Sequence, residues 1–140
     1  MAIRNVFEHV KQLSAEIDNL AVDDLKRELS ADHEVLLLDL REIQERVDMG
    51  SIPGAVHVPR GMLEFWADPA SPYARDYFGE EKRTVVFCAG GGRSVYAVMA
   101  LEDMGFTNVA HLAGGFKAWM DAGEEIEDAA ASSGWVRREK

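Results

Sequence analysis

The one cysteine of the chain, Cys88, opens a glycine loop, Cys88-Ala89-Gly90-Gly91-Gly92-Arg93-Ser94. The preceding run, Thr84 to Phe87, is β-branched and aromatic and reads as a buried strand. Ser94 to Met104 reads as a helix that stops at Gly105. Cys88 therefore lies at a strand-to-helix turn. Glycines let backbone N–H groups turn inward. The helix behind the loop presents its positive end, and Arg93 adds a cation. All three favour thiolate over thiol and make Cys88 the candidate nucleophile. Ala89, Gly90, Gly91, Gly92, Arg93 and Ser94 are the candidate cradle, with Ser94 an N-cap or first-turn residue able to bond the sulfur. A lone cysteine after a strand is otherwise a small buried apolar residue. A phosphate loop ending in Gly-Lys-Ser/Thr is ruled out, because no lysine follows the glycines.

The elements that position this loop alternate in period. Ile3 to Ile17 has apolar residues at helical spacing and predicts an amphipathic N-terminal helix. A short strand is expected at Asn19 to Leu20 and a helix at Asp23 to Leu29. Val35 to Asp39 is a continuous apolar run ending in a carboxylate, which suits a central strand buried on both faces. Arg41 to Met49 is expected to be helical, Ile52 to Ala55 a turn, and Val56 to Val58 a strand ended by Pro59. The connector from Arg60 to Arg83 has helical character at Gly61 to Trp66. The last strand is expected at Val109 to Leu112 and the last helix at Phe116 to Ala122, with a loose tail from Glu124 that Trp135 could dock. Alternating strands and helices predict an α/β domain with a parallel sheet. Cys88 and Asp39 both end strands, where such sheets bind ligands, so they are expected to be near neighbours.

At 140 residues the chain is sized for one domain. Its net charge of -10 and pI of about 4.8 argue against nucleic acid and anionic membrane as partners. A single cysteine fits a reducing compartment. No apolar run approaches about 18 residues, and the N-terminus lacks a signal-peptide core, so a cytoplasmic location is expected. His57 and His111 lie in short strands and read as packing residues. No His/Cys/Asp cluster has metal spacing, and neither a metal nor a cofactor is expected. Asp39 reads as a turn-capping carboxylate, and Arg41 as a partner of some carboxylate at the surface. Trp119 reads as core. Phe65, Trp66 and Tyr73 either cover the mouth of the site or close the core.

Four motifs in order resemble the single-domain rhodanese family of sulfurtransferases. They are Asp39-Leu40-Arg41-Glu42, Gly50 to Ala55, Cys88 to Ser94, and Gly105 to Val109 followed by Leu112 to Trp119. The resemblance implies a rhodanese-like α/β fold, with a central five-stranded, mainly parallel sheet and helices on both faces. It divides the chain into an N-terminal helical extension (1–18), the family domain (19–124) and a tail (125–140). It also implies that Cys88 carries sulfane sulfur as a persulfide, taken from thiosulfate or a persulfide donor and passed to a thiol or cyanide, with a protein thiol as a further candidate acceptor. With no second cysteine to resolve the persulfide, the acceptor comes from outside in a two-step cycle. Many thiosulfate-using members place Arg or Lys directly after the cysteine, where this chain has Ala89 and Gly90. That argues against thiosulfate as preferred donor, unless Arg60 reaches the pocket. Asp39 and Arg41 are candidate supporting residues. Two other readings stand beside this one. One is a persulfide carrier, sensor or binding module. The other is a cysteine-dependent phosphatase or arsenate reductase, although those enzymes put one more residue between cysteine and arginine than the four found here.

Overall fold

The computed structural model describes residues 2–31 and 34–134. The elements are α1 (Val6–Ser14), β1 (Asp18–Leu20), α2 (Val22–Ala31), β2 (Leu36–Asp39), α3 (Ile43–Met49), β3 (Val56–His57), a 3-10 turn (Arg60–Met62), α4 (Leu63–Ala67), β4 (Thr84–Phe87), α5 (Gly92–Met104), β5 (Val109–Leu112), α6 (Gly115–Asp121) and α7 (Ala130–Ser133). The strands form one five-stranded sheet in the order β1-β5-β4-β2-β3, with every neighbouring pair parallel.

Alternation along the strands divides the core. Leu36, Leu38, Val86 and Val109 face one side, where they meet Ala97, Val98 and Leu101 of α5 with Leu63 and Ala67 of α4. Leu37, Val85, Phe87, Ala110 and Leu112 face the other, against Leu25 of α2 and Phe116 and Trp119 of α6. All residues of β2, β4 and β5 are buried, as a sheet covered on both faces requires. Central β4 has β5 on one side and β2 with β3 on the other, so the loop after Phe87 opens where the chain order reverses.

Several element ends differ from the sequence expectation for local reasons. Helix α1 starts at Val6, where the Asn5 side chain accepts the Glu8 N–H at 3.1 Å. It ends at Ser14 rather than Ile17, and the Asn19 amide donates to the carbonyls of Ser14 (2.8 Å) and Ile17 (2.9 Å). Helix α3 starts two residues later than expected because Arg41 is turned back onto Asp39. Helix α5 starts at Gly92, so the glycine loop itself becomes the first turn. The segment after Glu124 is held in place as far as residue 134, against the expectation of a loose tail. Glu127 pairs with Ser51 in both directions (2.9 and 2.8 Å), Trp119 Nε1 donates to the Glu125 carbonyl at 2.7 Å, and Ala129 is buried ahead of α7. Trp135, Arg137 and Arg138 lie outside the described residues. Among the described residues no helix is long and apolar enough to cross a membrane.

Candidate active site

Cys88 follows β4 and is 1% exposed, yet it lines a pocket of about 600 Å3. The Gly91 N–H points at Sγ from 3.2 Å and the Ser94 N–H from 3.4 Å, with the Ser94 hydroxyl at 3.6 Å. Gly91 has φ of +107°, a left-handed conformation that favours glycine, and this turns its N–H inward. A Cβ added at Gly90 or Gly92 would meet nothing within 4 Å, so neither glycine is required by close packing.

The outer side of the loop is held by α6. The Cys88 carbonyl accepts the Phe116 N–H at 2.8 Å, and the Ala89 carbonyl accepts the Lys117 N–H at 3.0 Å. These two bonds fix the start of the loop, ahead of the Gly91 and Ser94 N–H groups that point at the sulfur. A Cβ on Gly115 would sit 2.5 Å from the Cys88 carbonyl oxygen, and its φ is +61°. Gly115→Ala therefore forces the loop off α6. The expected cost is about 1–3 kcal/mol, from a strained φ plus a backbone clash. Sulfur-transfer activity should fall with it, measured by urea unfolding and turnover side by side. Unchanged stability and turnover would show that α6 does not set the loop.

The Arg93 guanidinium reaches across to α3 while staying close to Cys88. It forms a bidentate pair with Glu45 of α3, at 2.7 and 3.0 Å. Glu45 Oε1 also accepts the Glu42 N–H at 3.0 Å. The hydrogen bonds to Glu45 hold the Arg93 guanidinium above its ordinary range, with Cys88 acting in the same direction. The bonds from Arg93 hold Glu45 below the usual carboxylate range against the effect of burial.

Two histidines read as packing residues from sequence are polar anchors. His57 Nε2 meets the Arg41 carbonyl at 2.7 Å. His111 is buried, lines the cysteine pocket, and has Nδ1 2.9 Å from Ser94 Oγ and Nε2 2.6 Å from Asn19 Oδ1. Burial pushes both rings below the ordinary histidine range. The period-2 pattern places His111 on the α5 face of the sheet; only the Ser94 contact reveals its link to the cysteine.

The far wall of the pocket comes from α1, through Val6, Phe7, Val10 and Ser14. Helix α1 packs on α5, and His9 Nδ1 lies 2.7 Å from the Tyr96 hydroxyl. Phe65, Trp66 and Tyr73 do not line this pocket; Trp66 packs on the core under the Arg75 guanidinium, 4.2 Å from the ring centre.

The structure divides the remaining candidates. Ala89 lies in the loop but outside the pocket lining. Arg60 also lies outside it and pairs with Glu64 at 2.7 Å. Asp39 lies across from Phe87, one residue before Cys88, but its carboxylate is fully used elsewhere. Oδ1 accepts the Arg41 N–H (3.1 Å) and Nε (3.0 Å). Oδ2 accepts from Arg41 NH2 (2.8 Å), Arg46 Nε (3.0 Å) and the Ser51 hydroxyl (2.8 Å). Arg41 is buried rather than at the surface, with its guanidinium 4.2 Å from the Phe116 ring centre and a bond to the Gly50 carbonyl at 2.7 Å. This cluster braces the base of α3, which carries Glu45. A larger pocket of about 760 Å3, between residues 67–80 and the end of α5, has no cysteine, serine, histidine or lysine in its lining.

Comparison with known proteins fits this geometry. The rhodanese-like domain family matches residues 21–122. YtwF of Bacillus subtilis, provisionally named a sulfurtransferase, is 34% identical over 104 residues, covering 74% of this chain and 91% of YtwF. YrkF of the same organism, provisionally named a sulfur carrier protein, is 27% identical over 117 residues, covering 84% of this chain and 58% of YrkF, so the chain spans little more than half of that relative. A solved structure of a protein of unknown function from Rhodopseudomonas palustris, described as a possible tyrosine phosphatase, is 41% identical with a TM-score of 0.83, covering 91% of this chain and 97% of that one. With an all-parallel sheet, a cysteine loop at its switch point and a family match over most of its length, this chain belongs to the rhodanese-like domain family, and sulfur transfer is the chemistry it shares with that family.

Proposed function

We propose that Cys88 carries sulfane sulfur as a persulfide, loaded from an organic persulfide or polysulfide in preference to thiosulfate and delivered to an external thiol. The observation that carries this reading is the cradle: two backbone N–H groups aimed at Sγ, under an apolar wall from α1, with the lining cation Arg93 already paired to Glu45. N–H groups stabilise the anionic terminal sulfur of a persulfide without adding bulk. The Cys88 thiolate attacks the outer sulfur of the donor, the donor S–S bond breaks, and its electron pair leaves on the donor fragment. An acceptor thiolate then attacks the outer sulfur of the Cys88 persulfide and regenerates the thiolate. One cysteine allows no internal resolution, and cyanide serves as a small assay acceptor. The transfer unit is 19–124, with the 1–18 extension supplying the pocket wall through α1 and the described part of the 125–140 tail, to residue 134, docked by the Ser51–Glu127 pairing.

The test is kcat/KM for glutathione persulfide and for thiosulfate with one thiol acceptor. A missing charge-assisted hydrogen bond is worth about 1.5–3 kcal/mol, so persulfide should be favoured by about 10–100-fold. Glu45→Gln releases the Arg93 charge and should shift the ratio several-fold toward thiosulfate. An unchanged ratio would mean that Arg93 does not meet the donor. The phosphatase reading is favoured by the description of the Rhodopseudomonas protein. Against it stand the short loop and an arginine whose charge is already paired with Glu45, and no hydrolysis of p-nitrophenyl phosphate is expected. Hydrolysis of that ester with no sulfur transfer would reverse the assignment.

A further inference from the structure

A chain of hydrogen bonds runs from Cys88 through buried Ser94 and His111 to exposed Asn19 on the edge strand. Its order is Cys88 Sγ, Ser94 Oγ (3.6 Å), His111 Nδ1 (2.9 Å), then His111 Nε2 to Asn19 Oδ1 (2.6 Å). The direction of its hydrogen bonds follows from its far end. The Asn19 amide nitrogen donates to the Ser14 and Ile17 carbonyls, which turns Oδ1 toward His111. An amide oxygen can only accept, so His111 Nε2 bears the ring proton and Nδ1 is left as a bare acceptor. The single Ser94 hydroxyl proton has two acceptors in reach, Nδ1 at 2.9 Å and the Gly91 carbonyl at 3.3 Å, and goes to the nearer, Nδ1, while the oxygen accepts from the Cys88 thiol.

We propose that Ser94 and His111 form a proton relay that generates the Cys88 thiolate, a role that rests on the sulfur-transfer reading above. The thiol proton passes to Ser94 Oγ while the Ser94 hydroxyl proton passes to His111 Nδ1. A neutral thiol and imidazole become a thiolate and an imidazolium. The thiolate then forms the S–S bond to the sulfane sulfur, and the donor leaves as its thiolate with the electron pair of the broken bond. The imidazolium keeps the relayed proton and faces the anionic persulfide. When an acceptor thiolate removes the outer sulfur, the proton returns through Ser94 to Cys88. Atoms and charge balance at each step with no further reactant. Ser94 touches the reacting sulfur; His111 acts through it and is a positioning residue held in one tautomer by Asn19.

The surroundings suit a reversible acceptor. Burial keeps the ring neutral at rest, and Asp18, which is paired with Arg83, opposes that effect. The other titratable or charged groups around these hydrogen bonds are the Arg93–Glu45 pair and the Tyr96–His9 pair on the pocket walls. Helix α1 and β1 lie at the edge of the family match, which begins at residue 21, so Asn19 falls just outside it.

The test is the rate of Cys88 alkylation by iodoacetamide against pH in wild type, His111→Asn and Ser94→Ala. General-base help is typically worth 10²–10⁴-fold, and about 100-fold of it should be lost near pH 7 in both variants. The loss should disappear above the ordinary thiol range of ~8.5, where hydroxide deprotonates the thiol without help. Profiles that coincide with wild type, or lie below it by one factor at every pH, would overturn the relay and leave His111 a packing residue. Near-UV circular dichroism checks the fold, and Ser94→Ala carries the test alone if His111→Asn is disordered. The alkylation arm needs no sulfur donor. A relay-type profile in a protein that accepts no sulfur from any donor would refute sulfur transfer and leave the relay standing.

Discussion

Cys88→Ser is expected to reduce sulfur transfer to background while the protein stays folded. The serine oxygen fits the space left by Sγ and can accept the Gly91 and Ser94 N–H groups, which lie 3.2 and 3.4 Å from the sulfur. It stays protonated where a thiol ionises, and it cannot hold sulfane sulfur. Loss of a covalent nucleophile costs on the order of 10⁶-fold in rate. The stability change should stay within about 1 kcal/mol, since no cavity of any size opens and no polar group loses its partner. Turnover with a persulfide donor and a thermal melt check both halves. Retained turnover would move the nucleophile elsewhere, although among the described residues the larger pocket offers none.

Asp39→Asn should be the most destabilising of these substitutions. The carboxylate is buried and accepts from Arg41, Arg46 and Ser51, and Arg41 is itself buried. Neutralising Asp39 leaves an uncompensated guanidinium against the Phe87 and Phe116 rings. Breaking one side of a buried pair typically costs 3–5 kcal/mol, about that much here, against less than about 1 kcal/mol for a surface pair. Urea unfolding decides between them. The pH dependence has a fixed sign. Burial raises the Asp39 pKa, but the hydrogen bonds and charge of Arg41, with the Ser51 bond, outweigh it and the net shift is downward. Its contribution is therefore fully present above the unfolded value of ~3.9 and is lost as pH falls through the lower folded value. His57 and His111, held neutral by burial, weaken the fold from about pH 6.5 downward, so the Asp39 share is the difference between wild type and variant below about pH 4. Because the same cluster braces α3, activity should fall with stability.

Much of this could be read from the residues because local rules and global packing agree. Leu36 to Asp39 and Thr84 to Phe87 are apolar without interruption because their strands are covered on both faces, and Gly105 ends α5 where it was expected to. The cysteine loop was legible because glycine at left-handed φ has few substitutes. The parts that were not legible depend on contacts distant in sequence. Glu45 and Arg93 meet across 48 positions, His111 and Asn19 across 92, and His9 and Tyr96 across 87. No periodicity encodes such pairings. The N-terminal helix was visible as an amphipathic segment, but its place on the cysteine pocket follows from packing on α5. The tail reads as loose because it is charged at its start and rich in Ala and Ser; the Ser51–Glu127 pairing that docks its first part is backbone to backbone, which side-chain composition does not report.

The most direct measurement is the intact mass of the protein after separate incubation with thiosulfate, polysulfide and glutathione persulfide. The expected result is the gain of one sulfur atom with polysulfide and glutathione persulfide and little with thiosulfate. The gain should be reversed by an external thiol or by cyanide and absent in Cys88→Ser. An unchanged mass with all three donors, in a protein whose Cys88 still alkylates, would contradict the assignment of Cys88 as a persulfide-carrying nucleophile.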